Sequence, residues 1–565
     1  MKKYNMSVKT ALAVFAVVLS ACSSDNDIVD NNSNNQEKPV TNKTMTFRAS
    51  MDGDKATRTV FNGEKDGVNT ANYTVWAADD AISILNTASV PNETDITDQA
   101  NNFTISDGVG TKEADFTGGP IRANMDGTSD KFYAFYPAHT LTNTNGTVTA
   151  SGNIPTVQTA TDGTYDQTLH FMSAYSTNST FNFKNVCALL KITLTNNTTI
   201  SRIKVVANPT LSAMDAEAFT YTSIAGGFTA TIGTDGIASV TPTKETETET
   251  EKTYVELRAA DDNGTIKGRT SLGSGTFYMV VLPATINKGF TLILEDKDGN
   301  VYQRINTKTK TFARNEMYNL GSYDCTSETT LQNSGLTSLG NDVVDLDLPS
   351  GTIWCKKNIK ARSETKTTWV LLVPVVTTEY YVDGFATNEY DDGDYFSWGY
   401  THVTSLLGAT YSLPSLDTNN TTLAGDAEVV HSYDSQYSMP IYAQLYELEA
   451  NITNKSIESM NSRKCAKLTS STGRSILLPY SGYYYSGFNT TKNDQARYWS
   501  RTFARRTWEL TSEYYAYCLD FKITDNVPEV DLHPGILGAN EWHDKGETGR
   551  TIRPVVTNVQ IAPTY

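Results

Sequence analysis

Phe277-Tyr278-Met279-Val280-Val281-Leu282-Pro283, then Phe290-Thr291-Leu292-Ile293-Leu294-Glu295-Asp296, an Asp298-Gly299 pair and Val301-Tyr302-Gln303 form the stretch that decides the fold. Short apolar runs bounded by turn residues read as strands. Asp-Gly between two such runs marks a tight hairpin, because both central positions of that turn tolerate positive φ. Upstream, Leu190, Ile192 and Leu194 alternate with Lys191, Thr193 and Thr195, the period-two signature of a half-buried strand. Met45 to Met51 alternates in the same way.

Composition extends that reading to the whole chain. The 565 residues are 39% hydrophobic and 19% charged, with 31 tyrosines; this is enough apolar content for about three or four domains. Few helical patterns occur outside 443–451, so the expected fold class is mainly β. A formal net charge of -17 excludes nucleic acid as a partner, since phosphates demand basic patches, and disfavours anionic lipid headgroups.

Further phrases stand in order along the first half: Ala56 to Gly63, Thr74 to Leu85, Phe132-Tyr133-Ala134-Phe135-Tyr136-Pro137, Leu169 to Ala174, Phe183 to Thr195, and a closing Phe312-Ala313-Arg314-Asn315-Glu316-Met317-Tyr318-Asn319-Leu320-Gly321. With the opening stretch, this series resembles the fimbrillin family of exported pilin subunits, over residues 44–323. The resemblance implies two stacked β-sandwich domains, 44–198 and 199–323. It also implies that an arginine-specific protease removes an N-terminal strand and opens a groove, which another pilus subunit fills by β-strand addition. Arg48 and Arg58 are the candidate cleavage sites. Both lie in alternating patterns, so each also reads as an outward-facing strand residue.

Residues 324–340 are polar and suit a linker. A different vocabulary follows, with Val343 to Trp354, Asp394-Tyr395-Phe396-Ser397-Trp398-Gly399, Ser438 to Leu448, Ile476 to Tyr483, Arg497-Tyr498-Trp499-Ser500, Ala516 to Phe521 and Arg550 to Val555. This set resembles the Fibrobacter major paralogous domain, and implies an α+β C-type-lectin-like domain over 341–557, with a tail at 558–565. Pro440 precedes a helical pattern in which Leu445 and Leu448 share a face. The Glu-Pro-Asn, Gln-Pro-Asp and Trp-Asn-Asp triplets of calcium-dependent lectins are absent, so calcium-bridged sugar binding has no support. Trp398 and Trp499 fall in the module's structural phrases and read as core. Tyr483, Tyr484, Tyr485 and Trp542 are the candidate ligand-binding residues, for a host or dietary glycan or a protein.

The N-terminus carries Lys2 and Lys3, an apolar run from Ala11 to Leu19, and Leu19-Ser20-Ala21-Cys22. That order is an export signal, too short to span a bilayer, and resembles the leader of bacterial lipoproteins. Residues 1–21 are then a signal peptide, Cys22 the lipid-attachment residue and 22–43 a solvated tether. The expected location is the outer membrane, lipid-anchored and surface-exposed, with incorporation in fimbriae.

Chemistry-bearing motifs are scarce. Cys187, Cys325, Cys355, Cys465 and Cys518 lack metal-ligand spacing; Cys187 reads as a core thiol, and one or two disulfides among the other four are compatible with an oxidising compartment. No C-x-x-C, H-E-x-x-H, G-x-S-x-G or phosphate loop is present, and His170 reads as structural. No catalytic residue, metal or cofactor is expected. The functional expectation is a fimbrial tip or minor pilus subunit that accepts a donor strand and displays a lectin-like adhesion module. The alternative is a surface lipoprotein that binds glycan or protein without polymerising.

Overall fold

The computed structural model describes residues 44–51, 75–88, 96–124, 128–211, 218–244, 246, 250–260, 268–396, 398, 429–452, 454–485, 488–508, 511–524, 527–534 and 549–556. The chain is mainly β, as its alternation predicts.

A first body is a closed barrel of seven strands: β1 (Met45–Met51), β2 (Ala81–Asn86), β3 (Gln99–Asp107), β4 (Glu113–Gly118), β5 (Phe132–Tyr136), β9 (Met172–Ser176) and β10 (Thr180–Asn185), in the order β1-β10-β9-β5-β2-β3-β4. Aromatic rings fill it. Phe47 meets Phe103 and Phe132 edge-on and stacks on Phe181, with centroids 5.0–5.3 Å apart. Edge-to-face and offset pairs add to area burial because ring edges are positive and faces negative. β5 is buried on both sides: Phe132, Ala134 and Tyr136 enter this core, while Tyr133 and Phe135 enter the next.

The second body begins before the first is finished. Between β5 and β9 the chain makes β6 (Leu141–Thr144), β7 (Thr147–Ile154) and β8 (Val157–Thr159). β7 pairs with strand Gly226–Ile232, and β8 forms one edge of a six-stranded sheet. After β10 the chain returns through β11 (Ala188–Thr195), which lies between strands Gly275–Val281 and Met317–Asp324. β12 (Ile200–Ala207) then sits inside the six-stranded sheet, between Tyr254–Arg258 and Phe290–Asp296. The division at 198/199 expected from sequence is therefore replaced by an interleaved one. Local periodicity identifies strands but carries no record of which distant strand each will pair with.

Residues 325–340 are not a bare connection. Ser327 caps helix α1 (Glu328–Asn333) through a capping box with Thr330, Leu331 and Leu336 join the second core, and Thr337–Gly340 pairs with strand Val301–Asn306.

The C-terminal module closes on itself where its beginning meets its end. Strand Ile353–Cys355 lies between Val343–Asp345 and Val555–Val556. Helices α2 (Val429–Tyr433) and α3 (Tyr442–Asn451) and two three-stranded sheets surround two apolar cores. Trp398 and Trp499 are both core residues, each 1% exposed. Their indole N–H groups donate to the carbonyls of Ser500 and Phe396 at 2.9 and 2.8 Å, so neither ring is a ligand platform.

Candidate functional site

β1 occupies a slot rather than a hairpin. It runs antiparallel to β4, from Met45 opposite Gly118 to Ser50 opposite Glu113, and parallel to β10, from Arg48 opposite Thr180 to Met51 opposite Phe183. Both partners come from distant parts of the sequence. Phe47 and Ala49 point inward and are fully buried, while Arg48 points outward and pairs with Glu113 at 2.5 Å. Taking β1 away would leave the facing edges of β4 and β10 with unpaired N–H and C=O groups. It would also open the apolar floor at Phe103, Phe116, Phe132 and Phe181. Any extended segment with apolar residues two apart satisfies both needs.

The geometry separates the two candidate arginines. Although the Arg48 side chain is 58% exposed, its backbone N–H donates to the Ser179 carbonyl at 2.8 Å and the next residue, Ala49, is buried. The Arg48–Ala49 peptide is thus locked inside the barrel wall. Arg58 lies outside the described residues, as do Cys22 and Trp542.

The second feature is the seam between the second body and the C-terminal module. Along β12, Ile203 and Val205 face the body's core, so Arg202, Lys204 and Val206 face the other way. The module covers that face. Arg202 donates to Glu256 at 2.6 Å, to Asp345 at 2.9 Å and to Asp347. Lys204 reaches Asp345 at 2.9 Å and Asp347 at 2.8 Å and lies 4.1 Å from the centre of the Tyr254 ring. From the module, Arg474 donates to Glu295 at 2.5 Å. Burial pushes the Asp347 carboxyl upward, but Arg202, Lys204 and Arg474 override it and hold the group well below the usual carboxylate range. A buried network like this repays desolvation only if every member keeps its partners.

Around the charges the seam is apolar and polar by turns. Val206, Ile293 and Val301 of the body share one apolar cluster with Val343, Ile353, Cys355 and Val556 of the module. Glu447 on α3 accepts from the Ser350 N–H at 2.6 Å, from the Ser350 hydroxyl and from the Tyr221 hydroxyl at 2.8 Å. Burial nevertheless raises its carboxyl to about 7. Thr253 donates to the Pro349 carbonyl at 2.6 Å.

The aromatic candidates are only partly in view. Tyr483 is half-buried, with the Arg497 guanidinium 4.6 Å from its ring centre, and strand Tyr483–Tyr485 pairs with Phe488–Thr490. The side chains of Tyr484 and Tyr485 lie outside the described residues. The disulfides weighed from sequence do not form among the described residues: Cys187, Cys325, Cys355, Cys465 and Cys518 are all buried thiols. Cys187 and Cys325 belong to the second body's core, whereas Cys355 and Cys518 sit in different clusters of the module. His170 is buried, bonds Asn185 at 2.7 Å, and is lowered to about 4 by burial. Among the described residues, no group of His, Cys, Asp and Glu is arranged to hold a metal. No helix among them is long and apolar enough to cross a membrane.

Sequence reasoning missed one further feature. A cleft of about 600 Å³ lies in the second body, lined by Phe290, Leu292, Arg304, Met317, Tyr318 and Tyr323, among others. Strand Met317–Asp324 ends its three-stranded sheet there, and Arg304 to Asn306 pair on one side only. Only the spatial approach of these two edges reveals it.

Among solved structures the chain is similar to a candidate cell adhesion protein from Bacteroides uniformis, 17% identical, with a TM-score of 0.31 over 54% of this chain and 98% of that one. It is also similar to a fimbrial protein from Bacteroides ovatus, 10% identical, with a TM-score of 0.20 over 90% of this chain and 99% of that one. None of the curated proteins matches it. Residues 57–322, a region that holds most of both β bodies, match the model of the fimbrillin-like family.

Proposed function

We propose that the chain is a fimbrial tip or minor pilus subunit, anchored through Cys22 to the outer membrane before assembly, that accepts a donor strand in the β1 slot and carries its C-terminal module as an adhesion head. The observation that carries this reading is the placement of β1: a strand first in its body, fixed by pairing with β4 and β10 and by Phe47 in the core. Cleavage after Arg58, beyond the end of β1, would release Met45–Met51 in one piece. Cleavage after Arg48 would break a paired peptide and leave half a strand behind, so Arg58 is the preferred site. The module, which follows the fimbrillin-like region, leaves that region without a free terminal strand to donate, and this suits an end position. Its ligand is a glycan or protein, with Tyr483 to Tyr485 and Trp542 as candidate contacts. The non-polymerising surface lipoprotein is the second reading, favoured by how deeply β1 is bound.

The test is treatment of the full chain with an arginine-specific protease, followed by addition of a peptide with apolar residues two apart. Loss of the N-terminal fragment and stoichiometric peptide capture, both abolished in Arg58→Lys and unaffected in Arg48→Lys, are expected. A chain that stays uncut, or is cut but captures nothing, would assign the static lipoprotein.

A further inference from the structure

The longest two-stranded element in the described module is a ribbon, strand Ile359–Val370 paired with Val373–Phe385, whose base packs in the module's core around Ile359 and Phe385 and whose outer part is exposed. Its outer part reads Thr367-Thr368-Trp369-Val370-Leu371-Leu372-Val373-Pro374-Val375-Val376-Thr377-Thr378, twelve residues without a charge. Leu371 and Leu372 are 93% and 91% exposed and Trp369 is 67% exposed; Val370, Val373, Val375 and Val376 are exposed as well. Soluble proteins rarely leave contiguous apolar surface of this kind uncovered.

Three observations say what covers it. First, the tip is apolar on both faces. The pairing sets Trp369 opposite Pro374 and Thr367 opposite Val376 on one face, with Val370 opposite Val373 and Thr368 opposite Val375 on the other. A protein groove or a second β-sheet would need one apolar face, whereas an isotropic apolar medium needs all sides. Second, the two-residue turn places Leu371 and Leu372 at positive φ, 49° and 67°. Asn-Gly or Asp-Gly would hold that turn without strain, so apolar character at the apex is present despite the turn rather than because of it. Third, the apolar section stops at a polar collar. Lys366 donates to the Tyr381 hydroxyl at 3.1 Å, and Arg362 pairs with Glu364 and, at 3.6 Å, with Asp383. From that collar to the apex is five residues, about 16 Å at ~3.3 Å per residue, which is about half of a ~30 Å hydrocarbon core.

We propose that this ribbon is a membrane-contact element whose tip buries in one leaflet of a zwitterionic bilayer, with Lys366 and the Tyr381 hydroxyl at the headgroup level and Trp369, three residues nearer the apex, about 10 Å deeper among the acyl chains at ~3.3 Å per residue. Tyr and Lys suit that interface, and the balanced collar and net charge of -17 disfavour anionic lipid. The head would then hold a lipid surface directly, in addition to any glycan or protein it recognises.

The experiment uses the full chain, reconstituted in phosphatidylcholine vesicles with and without brominated acyl chains. Subtracting the emission of Trp369→Phe isolates Trp369. Bromine is expected to quench that component, and the quenching is expected to vanish in Leu371→Asp/Leu372→Asp, since each aspartate weakens insertion by roughly 100-fold at the apolar depth. Thermal midpoints of both variants should match the parent, because the altered side chains touch no core. Trp369 emission unquenched by brominated lipid, or quenched equally in the double aspartate variant, would overturn the proposal. So would a Trp369 shift that follows protein concentration without vesicles, which would assign the tip to a second copy of the chain.

Discussion

The β1 slot and the module seam both join pieces of chain that are far apart in sequence, yet opposite physics holds them. In the slot the bond is generic: backbone ladders on two sides and Phe47 in an aromatic core, terms that any alternating strand can supply. At the seam the bond is particular: Arg202, Lys204 and Arg474 matched in position and sign to Glu256, Glu295, Asp345 and Asp347. The difference teaches which kind of join is exchangeable in principle and which is not. Replaceability follows from non-directional burial and repeating backbone bonds, permanence from a pattern of buried charges that must all be satisfied together.

That contrast is broken most severely by Arg202→Ala. Carboxylates would stay buried without their main cation, and removal of one partner from such a network costs about 3–5 kcal/mol; denaturant unfolding should show this as a lowered midpoint in the second body and module. A loss under 1 kcal/mol would mean that water enters the seam freely. Phe47→Ala removes the side chain that plugs the first core, and a buried Phe→Ala change costs about 3–5 kcal/mol. Here the expected result is localised: faster exchange of amides in β1, β4 and β10, with the seam unchanged.

Titration separates the seam from the core of the second body, where His170 lies, because a buried group in each responds with opposite sign. His170 has a folded value of about 4, below its ordinary 6.5. Its contribution is complete above 6.5 and is lost as pH falls through 4, about 3 kcal/mol in full at ~1.4 kcal/mol per unit. Glu447 has a folded value of about 7, above its ordinary 4.5. Its contribution is complete below 4.5 and is lost as pH rises through 7, again about 3 kcal/mol in full. Stability profiles of His170→Gln and Glu447→Gln should therefore flatten on opposite sides, the first in acid and the second toward neutrality. The smallest effect belongs to Arg48→Ala, which breaks an exposed, solvent-screened ion pair and should leave the unfolding midpoint nearly where it was.

Much of this architecture is legible in the sequence, and the unread parts have identifiable causes. Asp298-Gly299 does turn a hairpin, with Gly299 at φ 89° and Glu295 opposite Val301. Leu445 and Leu448 do share the buried face of α3. Arg202-Ile203-Lys204-Val205 shows equally well which residues alternate, but an outward-facing charged side chain looks the same whether water or another domain lies beyond it. The interleaving of β6 to β8 into the second body is hidden for a related reason, since pairing between distant strands leaves no local mark. Trp369 to Val376 misleads in the opposite direction: by composition it is a core strand, and only its isolation in space shows that it has no core to enter. Of the candidate site residues, Arg48 was legible as an outward strand residue, while the slot that gives it meaning required β4 and β10 to be seen on either side.

The most direct measurement of the central claim is hydrogen–deuterium exchange on the full chain, before and after arginine-specific cleavage and again with an added alternating peptide. The account predicts that amides of β4 and β10 lose protection on cleavage and regain it with the peptide, while those of β12 and Val343–Asp345 stay protected throughout. Loss of protection at the seam on cleavage, or β4 and β10 indifferent to both treatments, would contradict it.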